Sequence, residues 1–551
     1  MASILPFTGS LGEKYAAHLL RRTTFGPNRN EIEEFSAYTA ADAVNQLLTS
    51  LPVPPPPVDV KTGLPWLPKP DTELNSGDEK LFSYFQSWLL ELMRTTGTNL
   101  RERMAFFYHS HLPIDYNLLQ SATAIYYQNA LYRYYALGNF KEMFKKVCID
   151  NAMLVYIDNT LNQVYSPNEN FAREMFELYS IGKGEQIGPE DYTNYTETDI
   201  KEAARVLTGF EHNYDFNTLD IDTSLPRGKA NVNGLSQAVT HDAGIKSFTS
   251  KFQNTVIQPN PTMMVGEYAT EEGAIDEISQ MIDMIFAQPE TAKFICRKLY
   301  RFFVYYEITS EIEQDIIEPL AETFRSNNYE IIPVLTQLLT SQHFYDFDDA
   351  QTNNDNIGAL IKSPVDLTIG TLRFFKIEMP ADLTELYEYA YPRGILNDLH
   401  YQGMSFFTPI DVAGYPPYHQ EPAYNRNWIT PNYLARRYQF GYQIINGVTD
   451  DNSNILYKLD IVAYVDNAAH ISDPSNPRTL VSELVSYLFT NDIPDDRFNY
   501  FLNDILLENL QESHWTDEWN DYKNTGIDTG VRSQLERLAT AIMQSPEYQL
   551  F

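Results

Sequence analysis

From Glu13 to Gln544, segment after segment of this chain returns its apolar residues at the three-to-four spacing of an amphipathic helix. That recurrence leaves mainly helical folds as the natural outcome. The clearest stretch is Pro167–Gly182, P-N-E-N-F-A-R-E-M-F-E-L-Y-S-I-G. Phe171, Met175 and Leu178 fall on one side and should face a core. Gly182 ends the pattern, as expected of a left-handed C-cap. Glu174 and Glu177 are three apart and so neighbours on one surface, and Arg173 is placed to pair with Glu177 four residues on.

Further helices are expected at Asp78–Thr95, Asn99–His109, Tyr116–Leu137, Phe140–Ile149 and Tyr195–Gly209. The last opens on a Thr cap with acids in its first turn and stops at a Gly. Helices return between Glu271 and Phe375, at Leu383–Leu396, and from Thr430 to Gln544. Three stretches break the pattern. Residues 51–70 hold P-P-P-P at Pro54–Pro57 and must be an extended connector, since proline fixes the backbone and removes a donor. Residues 210–261 are rich in Asn, Asp and Gly and should be irregular or short β-structure; long loops of this kind are often functional. Residues 404–428 form a second loop rich in Pro, Tyr and Gly. No period marks a solenoid and no linker divides the chain. The expectation is one large, mainly α, multi-helix globular domain over residues 1–551, with irregular loop insertions.

The net charge of −34 argues against nucleic acid or an anionic membrane as direct partner. The two cysteines, Cys148 and Cys296, cannot build a disulfide framework or a cysteine zinc site and read as buried thiols. No apolar run is long enough to span a bilayer, and the N-terminus lacks the basic and apolar regions of a secretory signal. A cytoplasmic location is the default, with export by another route open.

Three constellations carry candidate chemistry. In R-E-R-M-A-F-F-Y-H-S-H-L-P-I-D (Arg101–Asp115), Pro113 should end the helix near His109, leaving His111 just beyond it. There both imidazoles are free to turn to one centre as ligands or bases. The alternative is that they cap a helix C-terminus. In T-H-D-A-G-I-K (Thr240–Lys246), Asp242 is placed to orient His241, or merely to stabilise a turn. Glu169, Glu174 and Glu177, followed by Glu202 beside Arg205 on the next helix, offer carboxylates for a metal or for acid–base work. The bland alternative is a network of Glu–Arg pairs using Arg173, Arg205 and Arg297. Taken together, His109, His111, His241 and Glu174 are candidate ligands of a divalent metal. Glu177 and Asp242 are candidate acids or bases, and Arg103 and Lys246 are candidate stabilisers of an oxyanion. Phosphate loops, H-E-x-x-H, G-x-S-x-G and EF-hand loops are all missing.

Long stretches carry a resemblance. They include A-A-H-L-L-R-R-T-T-F-G-P (Ala16–Pro27), R-E-R-M-A-F-F-Y-H-S-H (Arg101–His111), the Asn168–Gly182 helix, H-D-A-G-I-K (His241–Lys246), F-I-C-R-K-L-Y-R-F-F-V (Phe294–Val304), P-I-D-V-A-G-Y-P (Pro409–Pro416) and W-I-T-P-N-Y-L-A-R-R (Trp428–Arg437). In these, and in their order, the chain resembles the bacterial family catalogued as domain of unknown function 1800. The resemblance implies a large, mainly helical protein and no established activity. Relatives often have W-H-N-H-F where this chain has Tyr108–Leu112, and His where it has Tyr179. Were that His a ligand in relatives, Tyr179 would remove or alter one contact.

Two functions are then open. One is an enzyme, a hydrolase of a polymeric or glycan substrate with a His/Glu centre, metal-assisted or not. The other is a binding or assembly protein with a protein partner, using the Tyr-rich helix at Tyr116–Leu137, the Pro-rich connector and Tyr415-Pro416-Pro417-Tyr418.

Overall fold

The computed structural model describes residues 2–66, 76–350 and 355–551. Helices run from Gly12–Thr23 to Thr529–Met543, and the strands are short antiparallel pairs of two or three residues. The fold is mainly α, as the periodicity requires. Buried residues from Phe7 to Tyr548 join into one hydrophobic cluster. Each large apolar side chain moved from water into it contributes about 1.5–3 kcal/mol. Among the described residues no helix is long and apolar enough to cross a membrane. Cys148 and Cys296 are buried free thiols, pushed well above the ordinary range by burial.

Local chemistry sets the boundaries. The helix Glu197–Val206 starts from a reciprocal box, in which the Thr196 side chain accepts from Asp199 N and the Asp199 side chain accepts from Thr196 N. Gly209 follows with φ +89°, and a Cβ there would lie 2.7 Å from His241 N. The close approach pins the 210–261 loop, which carries His241, against this helix. That loop is irregular with two-residue strands, as expected.

Some helices differ from expectation. Tyr116–Leu137 is broken: Tyr116–Leu119 ends at a left-handed Gln120, φ 48°, and Ser121 caps a new helix, Ala122–Tyr134. Ser121 accepts from Ala124 N, and this local cap competes successfully with helix continuation. The Pro167–Gly182 stretch is α only over Asn170–Glu174, then widens to a π turn over Met175–Ser180. Gly182 nonetheless ends it with φ +75°. The described part of the Pro-rich connector is held to the body, with Arg101 Nη1 donating to Leu51 O at 2.9 Å and Pro52 O at 2.7 Å. Residues 67–70 of that connector lie outside the described residues.

Candidate functional site

The helix Arg101–His111 extends further than Pro113 suggested; His111 is its last residue and Leu112 its C-cap. Both histidines are therefore helical, and two positions apart they point to nearly opposite sides. His109 Nε2 meets Tyr415 Oη at 3.2 Å, among the rings of Phe406 and Phe407. Tyr415 gives its own proton to Ser405 O at 2.7 Å, so His109 Nε2 must carry the hydrogen. His111 turns the other way, and its Nε2 lies 3.0 Å from Tyr179 O. A carbonyl only accepts, so His111 is protonated on Nε2 and its Nδ1 holds a bare lone pair. That Nδ1 has no partner among the described residues. Burial lowers each histidine to about 3, so both are neutral at neutral pH.

Tyr179 O is free to hold His111 because it lies at the end of the π turn, past the last bonds of that segment. Gly182 N donates to Phe176 O at 2.8 Å and Ser180 Oγ to Met175 O at 2.6 Å. π turns often mark functional sites for this reason. The Tyr179 hydroxyl donates to Val412 O at 3.2 Å. The contact with His111 is made by the main chain and would survive a change of side chain at Tyr179.

His111 lines a slot of about 20 Å³ with Ser110, Lys298, Arg301, Tyr418 and His419. This is space for roughly one water or a few ligand atoms. Lys298 and Arg301 stand three apart on the helix Pro289–Phe303 and so share a face. Among the described residues neither has a carboxylate within ion-pair distance, although the chain carries 74 acids against 40 Lys and Arg. Lys298 Nζ sits 5.3 Å over the Phe294 ring. Burial, then the neighbouring Arg301, lowers the Lys298 amine to about 8. Arg301 Nε donates to Tyr306 O at 3.1 Å and its guanidinium covers the Tyr424 ring. His419, lowered chiefly by burial, has Nε2 3.6 Å from Asp411 Oδ1 at the rim. Neutral imidazoles and two cations without acid partners thus surround a space the size of a water.

The other expected members lie elsewhere. His241 Nδ1 is 2.9 Å from Thr208 O, and its Nε2 is 3.4 Å from Glu277 Oε1. Lys246 is bonded to Glu277 as well, and all three side chains are sealed from solvent. Asp242 does not orient His241; it pairs with Arg205 at 2.7 Å. Glu177 is taken by Tyr195 and Lys183. Glu174 is half-buried, and burial followed by Glu177 raises its carboxyl. The expected metal set of His109, His111, His241 and Glu174 therefore does not assemble. Among the described residues no group of three or more His, Cys, Asp or Glu is disposed to hold an ion. The Glu–Arg alternative is realised instead: Arg173 pairs with Glu197, Arg205 with Glu202, and Arg297 with Glu290 and Glu313. Arg103 is buried against Asp366 beneath the rings of Phe302 and Phe25. It lines a second cavity of about 30 Å³ that shares Arg301, Phe302 and Tyr418 with the slot.

Lys298, Arg301, Tyr418 and His419 escaped the sequence reading. No sequence signal sets them apart: neither Lys298 nor Arg301 has an acid three or four residues away, but nor does the adjacent Arg297, which the fold pairs with Glu290 and Glu313. The surface expected on Tyr116–Leu137 faces inward: Tyr126, Tyr127, Tyr132 and Tyr135 are buried, and of its tyrosines only Tyr134 is strongly exposed.

The family described as "Protein of unknown function (DUF1800)" matches residues 18–550. No curated protein and no solved structure matches the chain.

Proposed function

The chain belongs to the DUF1800 family, a membership that brings no activity with it, and on that premise we propose that the protein is a hydrolase acting on an anionic substrate at the Lys298–His111 slot. The observation that carries this reading is the pair Lys298 and Arg301, free of carboxylate partners among the described residues. Cations left unpaired in so acidic a chain are kept for an anion from outside. A carboxylate, phosphate or sulfate group would take them as its counter-charges.

The imidazoles supply the second half. His111 presents a bare Nδ1, fixed in that tautomer by Tyr179 O. A water in the slot can give its proton to that nitrogen as it attacks. Lys298, at about 8, holds most of its charge at neutral pH and stabilises the oxyanion that forms. The His111 imidazolium so formed, lowered by burial, gives the same proton on to the leaving group, which leaves the imidazole neutral again. A polymeric substrate such as a glycan would present its charged group here while the rest of the chain stays outside.

The test is hydrolysis of chromogenic esters and glycosides that carry a carboxylate, phosphate or sulfate. Parent, Lys298→Met and His111→Phe proteins are compared with a neutral substrate series. Turnover of an anionic substrate, lost at least a hundredfold in both variants, is the expected result. Turnover that persists in Lys298→Met, or none with any anionic substrate, removes the proposal. The assembly reading loses one of its supports, since most tyrosines of the Tyr-rich helix are buried.

A further inference from the structure

The second cavity holds two buried donors with nothing to donate to. Arg103 is 1% exposed and Asn425 8%, both line the cavity, and neither Arg103 Nε nor Asn425 Nδ2 has a partner among the described residues. A buried donor left unpaired costs about 1–3 kcal/mol, so such atoms call for an acceptor. Among the described residues nothing supplies one. Arg103 Nη1 is already engaged with Asp366, which fixes the direction of the guanidinium. The walls are aromatic: Tyr418 packs on Phe302 at 5.6 Å and on Trp428 at 6.0 Å between ring centroids. Apolar walls with a few convergent polar groups are the ordinary make-up of a ligand pocket.

Position gives these donors their meaning. Arg301, Phe302 and Tyr418 border both cavities, so the cavity of Arg103 and Asn425 adjoins the slot of Lys298 and Arg301. The cavity is about 30 Å³, which admits one oxygen-bearing group and not a ring. The local charge also matters. Asp366 already balances Arg103, so a second full negative charge is less suited to this cavity than an uncharged oxygen. We infer that the Arg103–Asn425 cavity is a specificity subsite that takes an uncharged acceptor oxygen, a hydroxyl or carbonyl, borne by the same anion that Lys298 and Arg301 hold. The preferred ligands are then hydroxy acids and sugar acids rather than simple carboxylates or inorganic anions. This inference rests on the anion-binding reading of the slot.

Calorimetric titration of the full chain with acetate and with gluconate tests it. These probes carry the same charge and differ in hydroxyl oxygens. Gluconate is expected to bind at least tenfold more tightly than acetate to the parent protein. Asn425→Leu, of similar volume, should bring gluconate down to the acetate level and leave acetate unchanged. Lys298→Met should lose both. Arg103 is left intact because its removal strands the buried Asp366. Equal binding of the two probes by the parent means that the cavity takes only a water, and overturns the inference while the anion site stands. A gluconate preference that survives in Asn425→Leu overturns it too. If neither probe binds the parent, the anion reading and the subsite fall together.

Discussion

Glu277 separates two roles for the His241–Lys246 pair. The three side chains are buried together, with Lys246 and His241 both directed at the Glu277 carboxylate. If they serve structure, Glu277→Gln leaves a buried ammonium without its counter-charge and should cost about 3–5 kcal/mol, read by urea unfolding. Full stability with lost turnover would return these residues to the chemistry. Lys298 is the opposite case. Its amine is lowered to about 8 in the folded protein, against about 10.4 when unfolded. Between those values the unfolded chain binds more protons, so this residue makes stability rise with pH there, and below about 8 its charge is a penalty on folding. Lys298→Met should therefore raise the melting temperature at pH 7, by roughly 1 °C for each kcal/mol relieved in a chain of this length, and flatten the rise above pH 8. In the parent, anion affinity should fall by roughly tenfold per pH unit once the pH exceeds the lysine value. An affinity independent of pH between 7 and 10 would exclude Lys298 from the contact. These residues were only partly legible. His111 stood out as half of an H-x-H pair, but its partner group does not. The bare Nδ1 depends on a carbonyl in a helix far along the chain.

At the scale of elements, what the sequence revealed is what local chemistry decides. The Thr196 cap and the stops at Gly182 and Gly209 are where the residue types place them. Gly209 carries two constraints, a φ of +89° and backbone 2.7 Å from where a Cβ would sit. A strain-free Gly→Ala exchange stabilises by about 0.4–1 kcal/mol, whereas Gly209→Ala should destabilise by more than that. It should also speed hydrogen exchange in the 210–261 loop before the helices are affected. A loop as protected as in the parent would show that the contact yields easily. The π turn at Met175–Ser180 has no comparable sequence mark. Its apolar residues fit an α repeat, and the widening shows only in how Tyr179 O reaches His111. The break at Gln120 was missed because a Ser cap competed with a continuing apolar pattern, and the pattern alone favours neither.

For the whole molecule, the scattered acids bear on the metal question. Among the described residues they do not gather with histidines into a three-ligand group. Dialysis against a chelator should leave the melting temperature within about 1 °C of the untreated protein, since no bound ion would be adding its binding energy to the folded state. A drop of several degrees, restored by one divalent metal, would reveal a site these contacts do not predict. The sequence by itself determined the helical class, the caps, the burial of both thiols and the family, because each depends on residues near in the chain or on their order along it. Tertiary structure alone decided the site. His111, Lys298 and His419 are separated by long stretches of chain, and their meeting depends on how three helical and loop segments pack. The same packing sent His109 into an aromatic core and locked His241 onto Glu277, so residues alike in sequence came to hold unlike roles.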